Sequence, residues 1–525
     1  LAGEKVKVLL ITGSLAKETV KRYAKESRLE SDVLVSNMAI AAFLTPQNIA
    51  ETLKKAKLRN IDLILVPGLV RGDTSLIFQA TGIPAFKGPR YAADLPTVLE
   101  SLNEITLSTI VPADDLLKEK LQQKAFEEIT KAEEERENLL RKPGNILVKN
   151  LAVGKDFPMR VMAEIVDAAL KPNEEIQRLS KLYVKSGADI IDIGMVVGES
   201  RPFEAKRIVS AAKATVNVPV SIDSLDPEEI KAGVSSGADL VLSGDAGNLE
   251  SIAPFLSDVA VVAIPTNQKE GYFPKKAKER VKFLEEIVNR AKTLGVTKIF
   301  ADLILDPSNI LESFVAYRQY AERNPNVPLF VGISNVTELI DADSIGVNAL
   351  LAKLASEVTA NLLLATEQSD KTKGTIKEES TAAKMMFLSS KRNSVPKDLG
   401  IDLLMLKDKR NREEPYNKEL EEKTHLFLAD QTETSGEGDE KGSFRIIVDR
   451  EKECIVALHF TLTNFEKPDM VVKGKSAESV YRKIVELNLV SKLDHAAYLG
   501  SELSKAEIAL RSGKEFIQDK LMFGE

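Results

Sequence analysis

Several short stretches end a run of β-branched and aliphatic residues on a carboxylate or a small polar group. Gly187-Ala-Asp-Ile-Ile-Asp-Ile-Gly194 ends on Asp192 and Gly194, and Pro219-Val-Ser-Ile-Asp-Ser224 on Asp223 and Ser224. Val241-Leu-Ser-Gly-Asp245 carries Ser243, Ile299-Phe-Ala-Asp302 closes on Asp302, and Val331-Gly-Ile-Ser-Asn335 closes on Ser334 and Asn335. These are the residue types that bind polar ligands and do acid–base work when they stand at strand ends. Any one of them could equally cap the next helix or pair with a lysine. Their recurrence on strand after strand is what points to one shared mouth.

The elements that must position them follow a regular rhythm. Strands are expected at Val161–Val166, Ile190–Ile193, Val218–Ile222, Leu240–Leu242, Val259–Ile264, Lys298–Leu303, Leu329–Val331 and Leu403–Leu406. Helical stretches such as Glu174–Ser186 and Glu228–Ser236 separate them. Eight strands in β/α alternation predict an α/β fold, a TIM (β/α)8 barrel, over residues 145–427. The pattern is least regular over 340–400.

Residues 1–112 carry their own alternation, with strands expected at Val6–Thr12, Asp32–Ser36 and Ile61–Pro67. That predicts a small N-terminal doubly wound α/β domain. Thr12-Gly13-Ser14 and Pro67-Gly68 end two of its strands, where a phosphate could bind or the chain could simply turn. Residues 113–144 are rich in Lys, Glu, Leu and Ala and predict a charged helical linker. Residues 428–442 lack periodicity and predict a flexible linker. A C-terminal α+β module is expected over 443–525, with a hairpin of Phe444–Val448 and Cys454–Phe460 and helices at Ser476–Leu487 and Ala496–Ser512. Asp494 is placed as the N-cap of the last helix, and His495, Tyr498 and Glu502 as a second polar patch on one of its faces.

The totals narrow the function classes. The chain has 525 residues and a formal net charge of −7, which does not favour a nucleic-acid footprint. No apolar run reaches the length of a membrane span. One cysteine leaves no internal disulfide, and three histidines argue against a histidine-rich metal site; no metal is expected. A cytoplasmic protein is the simplest reading.

The Gly187–Gly194 stretch, followed by Glu199-Ser-Arg-Pro202 and then Ser221-Ile-Asp-Ser224, resembles the pterin-binding superfamily. That group includes dihydropteroate synthase and the methyltetrahydrofolate–corrinoid methyltransferases. The whole chain is similar to archaeal dihydropteroate-synthase-related proteins. The resemblance implies a reduced pterin of the tetrahydrofolate or tetrahydromethanopterin type, bound through Asp223, Ser243 and Asp302, and the strand-end pattern adds Asp192 and Ser334 to the substrate-binding candidates. Asp223 would hydrogen-bond the ring. Asp302 would accept from the 2-amino group and a ring N–H, a role suited to the two acceptor oxygens of a carboxylate. Ser243 stands where the family usually has asparagine.

Two departures bear on the reaction. The synthases carry Ser-Arg-Lys after the seventh strand, where this chain has Ser334-Asn335-Val336, and a Thr-Pro-Asp-Ser-Phe loop after the first, which Ala163-Glu164-Ile165-Val166-Asp167 lacks. Gly332-Ile-Ser-Asn-Val336 instead resembles the Gly-Leu-Ser-Asn-Val of the corrinoid methyltransferases. There the asparagine faces N5 of the pterin, so Asn335 is the catalytic candidate. Three readings stay open: methyl transfer from a reduced methyl-pterin, dihydropteroate-synthase-type condensation, and a pterin carrier without turnover. A corrinoid protein and a second copy of the chain are the protein partners to consider, with no nucleic acid and no membrane.

Overall fold

The computed structural model describes residues 6–56, 60–409, 424–429 and 438–523. The chain divides after Leu403 into two compact units.

The first unit opens with four parallel strands, β1 (Val8–Thr12), β2 (Ser31–Val35), β3 (Leu63–Val66) and β4 (Ala85–Lys87), in the order β2-β1-β3-β4. Successive residues of a strand face opposite ways. Val8 and Leu10 therefore pack with Val20, Ala24, Leu95 and Leu99 on one face, and Leu9 and Ile11 with Ile49, Leu53 and Ile77 on the other. Both faces are helix-covered, as a doubly wound sheet requires. Gly13 is needed for close packing, because a Cβ there would lie 2.5 Å from the carbonyl oxygen of Ala39. A 22-residue helix, Ala113–Glu134, follows.

An antiparallel hairpin, β5 (Asn145–Val148) and β6 (Leu151–Gly154), precedes the barrel. The barrel strands are β7 (Arg160–Ile165), β8 (Ile190–Gly194), β9 (Val220–Asp223), β10 (Leu240–Gly244), β11 (Ala260–Ala263), β12 (Ile299–Ala301), β13 (Leu329–Val331) and β14 (Ala360–Thr366). All pair in parallel, and β14 closes on β7. Met162, Ile190, Leu242, Val262, Phe300, Phe330 and Leu362 fill the interior. The alternate residues, such as Val161, Ile191 and Val261, pack outward against the helices. Val148 and Val153 join the interior cluster, so the hairpin plugs one end. That end is the N-terminal one: Lys149 Nζ donates to the carbonyl of Asn217 at 3.0 Å, just before β9, and Arg160 Nε, at the start of β7, to that of Ala152 at 2.9 Å.

One expected strand is corrected. The eighth barrel strand is Ala360–Thr366, buried throughout, and not Leu403–Leu406. Residues 404–406 are exposed and form no strand, so the apolar run there is not part of the barrel. The helices of 340–400 run over Ser344–Glu357 and Thr375–Lys391, either side of β14.

The second unit holds an antiparallel sheet of β15 (Ser443–Asp449), β16 (Cys454–Phe460) and β17 (Met470–Gly474). Helices Ala477–Glu486 and Leu493–Ser512 cover one face around Phe444, Ile446, Ile455, Val480, Leu499 and Leu503. Ser476 caps the first helix by a reciprocal hydrogen-bond pair with Ser479. Asp494 is not the N-cap of the second. The helix starts at Leu493, and the Asp494 carboxylate accepts from the His495 N–H at 2.9 Å within the first turn. Of the expected linker, residues 430–437 lie outside the described residues. No helix among the described residues is long and apolar enough to cross a membrane.

Candidate functional site

The barrel interior turns from apolar to acidic towards the C-terminal ends of three adjacent strands. Alternation from Met162 brings Glu164 inward on β7, alternation from Ile190 brings Asp192 inward on β8, and alternation from Ser221 brings Asp223 inward on β9. The register sets Glu164 beside Asp192 and Asp192 beside Ser221, with Asp223 next to Gly194. One oxygen from each of the three carboxyl groups lies within 4.8 Å of the others. Gly194 makes room for this, since a Cβ there would run into the Glu164 carboxyl.

Asp192 is fully buried. The Ser221 hydroxyl donates to its Oδ1, while its Oδ2 has no hydrogen-bond partner. Burial pushes all three groups upward from the usual carboxylate range. Mutual repulsion adds to it at Glu164 and Asp223, so at neutral pH the three do not all carry charge together.

Asp302 follows β12 on the same interior face as Phe300 and is buried. Its Oδ1 accepts from the Tyr317 hydroxyl and from the Ile304 N–H at 2.8 Å. Burial pushes its pKa up to about 6, against the pull of those two donors. The turn after it is held by Arg280, the largest fully buried side chain. Arg280 donates from Nε to the Pro274 carbonyl and from Nη1 to the Ile304 carbonyl and the Ser313 hydroxyl, each at 3.0 Å, and its guanidinium lies over the Phe273 ring. A buried cation satisfied this way fixes the loop that carries Asp302.

Asn335 is exposed where β13 meets its helix, and its amide reaches the Leu305 carbonyl at 3.4 Å, a weak tether. Ser334 is buried, and its hydroxyl accepts from the Thr366 N–H at 2.7 Å, bracing the end of β14. Ser243 is buried after Leu242, with its carbonyl held by Asn248 at 3.0 Å. The structure thus brings Asp192 and Asp223 together. It also adds Glu164, Tyr317 and Arg280, which sequence reasoning missed. Glu164 had one readable signal, its place two residues after Met162 on an expected strand. Tyr317 and Arg280 sit on helices and give none.

His495, Tyr498 and Glu502 have partners within their own unit. His495 Nδ1 lies 3.0 Å from Asp439 Oδ2, Tyr498 donates to Asp519 at 2.6 Å, and buried Glu502 pairs with Lys505. The first two tie Asp439 and Asp519 to the helix Leu493–Ser512. A cleft of about 460 Å³ between Gly144, Lys155, Arg318, Pro325 and Asn361 lies at the plugged end of the barrel, away from the carboxylates.

Residues 167–367 match the model of the pterin binding enzyme family. Residues 438–519 match the PterinBD-DUF4346 model, and residues 6–90 a family of unknown function, DUF6513. An uncharacterized protein of Methanocaldococcus jannaschii, MJ0107, is 42% identical over 542 residues, covering 99% of each chain. A Ycf91-like protein of Nostoc is 34% identical over 105 residues, 15% of this chain and 83% of that one. Among solved structures, a dihydropteroate synthase of Xanthomonas albilineans in complex with indole-2-carboxylic acid and 6-chloroguanine covers 46% of this chain and 96% of its own, at 18% identity and a TM-score of 0.38.

Proposed function

We propose that this chain, which belongs to the family of the Methanocaldococcus jannaschii protein MJ0107, binds a reduced pterin at its barrel mouth and transfers a methyl group from it. The observation that carries this reading is the inward placement of Asp223 and Asp302 within a barrel whose residues 167–367 match the pterin binding enzyme family. Asp302, when ionised, offers an acceptor-only edge in a buried wall, suited to the paired N–H donors of a 2-amino-4-oxopyrimidine. Tyr317 and Ile304 N–H both bond its Oδ1, which leaves Oδ2 for the ligand. Asp223 faces the same interior and serves the ring from the other side.

Asn335 stands at the rim, tethered only weakly and therefore free to turn towards a ring nitrogen. In methyl transfer the C–N5 bond breaks with its electron pair left on N5, which has gained a proton, and the acceptor's electron pair forms the new bond to carbon. An amide that hydrogen-bonds N5 as the proton arrives lowers that barrier. The acceptor in this reading is a reduced corrinoid on a partner protein.

The test is fluorescence titration with a methyl-tetrahydropterin, followed by single-turnover transfer to cob(I)alamin watched in the visible spectrum. Binding with transfer supports the proposal. Binding without transfer moves the chain to the carrier reading. Product from a hydroxymethyl-dihydropterin diphosphate and aminobenzoate moves it to the condensation reading. No binding of any of these pterins removes the pterin site altogether.

A further inference from the structure

We infer that Glu164, Asp192 and Asp223 form a binding site for one divalent cation of the Mg²⁺ or Mn²⁺ type. This goes beyond the pterin reading and does not depend on it. The distances fit one ion. At roughly 2.1 Å per bond, oxygens around one Mg²⁺ stand about 3.0 Å apart when adjacent and about 4.2 Å when opposite. The three carboxyl oxygens already lie within 4.8 Å of one another, so small side-chain rotations close the set.

A second observation points to a ligand there. Asp192 is fully buried, yet its Oδ2 has no hydrogen-bond partner. A buried acceptor left bare is costly, and a cation satisfies it. Its other oxygen is already taken by Ser221, which fixes the orientation of the carboxyl group as a neighbour to a ligating residue does. Among the described residues, no lysine, arginine or histidine forms an ion pair with Glu164, Asp192 or Asp223. The described residues therefore supply three acidic groups and no ion-paired cation at this point.

The donor set defines the ion. It is all oxygen, with neither histidine nor cysteine, and so favours hard cations over zinc or copper. Three protein ligands leave further positions of an octahedral ion open. Glu164 and Asp223 are half-buried, so those positions face the mouth, where water or a ligand's oxygen can fill them. Asp223 has two oxygens, and binding a cation with one leaves the other for the ring.

The experiment uses the full chain, stripped with a chelator and dialysed, with no pterin present. Mn²⁺ binding is counted by the loss of its free electron-spin-resonance signal, and Mg²⁺ by the rise in melting temperature, since an ion bound only to the folded state stabilises it. We expect one strong Mn²⁺ per chain. Glu164→Gln and Asp192→Asn should each weaken it by at least roughly tenfold, because affinity follows the number of ligand charges. Asp302→Asn should leave it unchanged. Glu164→Gln replaces a half-buried group and guards against misfolding of the Asp192 variant. The idea is overturned if the wild type shows no stoichiometric site at millimolar Mn²⁺, or if both variants bind as the wild type does. Because pterin is absent throughout, failure here leaves the pterin reading standing, and failure of pterin binding leaves this one standing.

Discussion

Replacing Asp302 with asparagine separates a ligand-binding carboxylate from a structural one, because the two predict opposite signs. Burial lifts the folded pKa from its ordinary 3.8 to about 6. At about 1.4 kcal/mol per pH unit, the ionised group costs the fold about 3 kcal/mol. The cost is absent below the unfolded pKa, builds as pH rises between the two values, and is complete above pH 6. Asparagine does not ionise, and its oxygen can still accept from Tyr317 and the Ile304 N–H. Asp302→Asn should therefore raise stability at pH 7.5 by up to about 3 kcal/mol and change it little near pH 4. The same change removes charge-assisted hydrogen bonds to a pterin, worth roughly 1.5–3 kcal/mol, or about a ten- to 150-fold loss of affinity. Urea unfolding at the two pH values, paired with a pterin fluorescence titration at pH 7.5, measures both. A variant that is less stable at pH 7.5 and binds pterin as the wild type does would refute the reasoning.

Three further outcomes are expected. Asn335→Ala should leave pterin affinity within about twofold and cut the single-turnover methyl-transfer rate about a hundredfold or more, since its hydrogen bond strengthens only as N5 gains a proton; an unchanged rate removes the assignment. Arg280→Met should cost about 3–5 kcal/mol in urea unfolding, because it strands the acceptors of Pro274 and Ile304 in a buried site. Glu379 is fully buried with neither oxygen partnered, and burial holds its carboxyl well above the usual range. The wild type should then lose stability as pH rises above the unfolded value, so the melting-temperature difference in favour of Glu379→Gln should widen between pH 5 and 9; a constant difference would show that the group is not held protonated.

What could be read from the residues follows the physics of each element. Strands β7 to β13 are short apolar runs between turn signals, and their polar ends stand out because the runs are otherwise bare; Asp192, Asp223 and Asp302 are legible for that reason. The eighth strand, Ala-Asn-Leu-Leu-Leu-Ala-Thr, follows the apolar helix Ser344–Glu357 without a clear break, and periodicity alone does not separate a buried strand from a helix there. Leu403–Leu406 has the right composition but forms no strand. Glu164 looks like any glutamate near a strand end until the register sets it beside Asp192. Arg280 and Tyr317 reach the Asp302 turn from helices, Tyr317 from 15 residues along the chain. Contacts of that kind belong to tertiary packing and leave no local trace. Strands β4 and β17 are too short or too exposed to show a pattern.

The hairpin β5–β6 adds a second floor beneath a barrel interior that is already filled. Val148 and Val153 add hydrocarbon below Met162 and Ile190, so the open approach to Asp192 is from the rim, where Glu164 and Asp223 stand half-buried. Anything seated at the mouth therefore acts as a stopper. Beneath it, the deepest carboxyl group would keep whatever proton or ion it held when the stopper went in, and release it only when the stopper leaves. Exchange at Asp192 would in this way be timed by traffic at the mouth, and the packing below it would set the order of events.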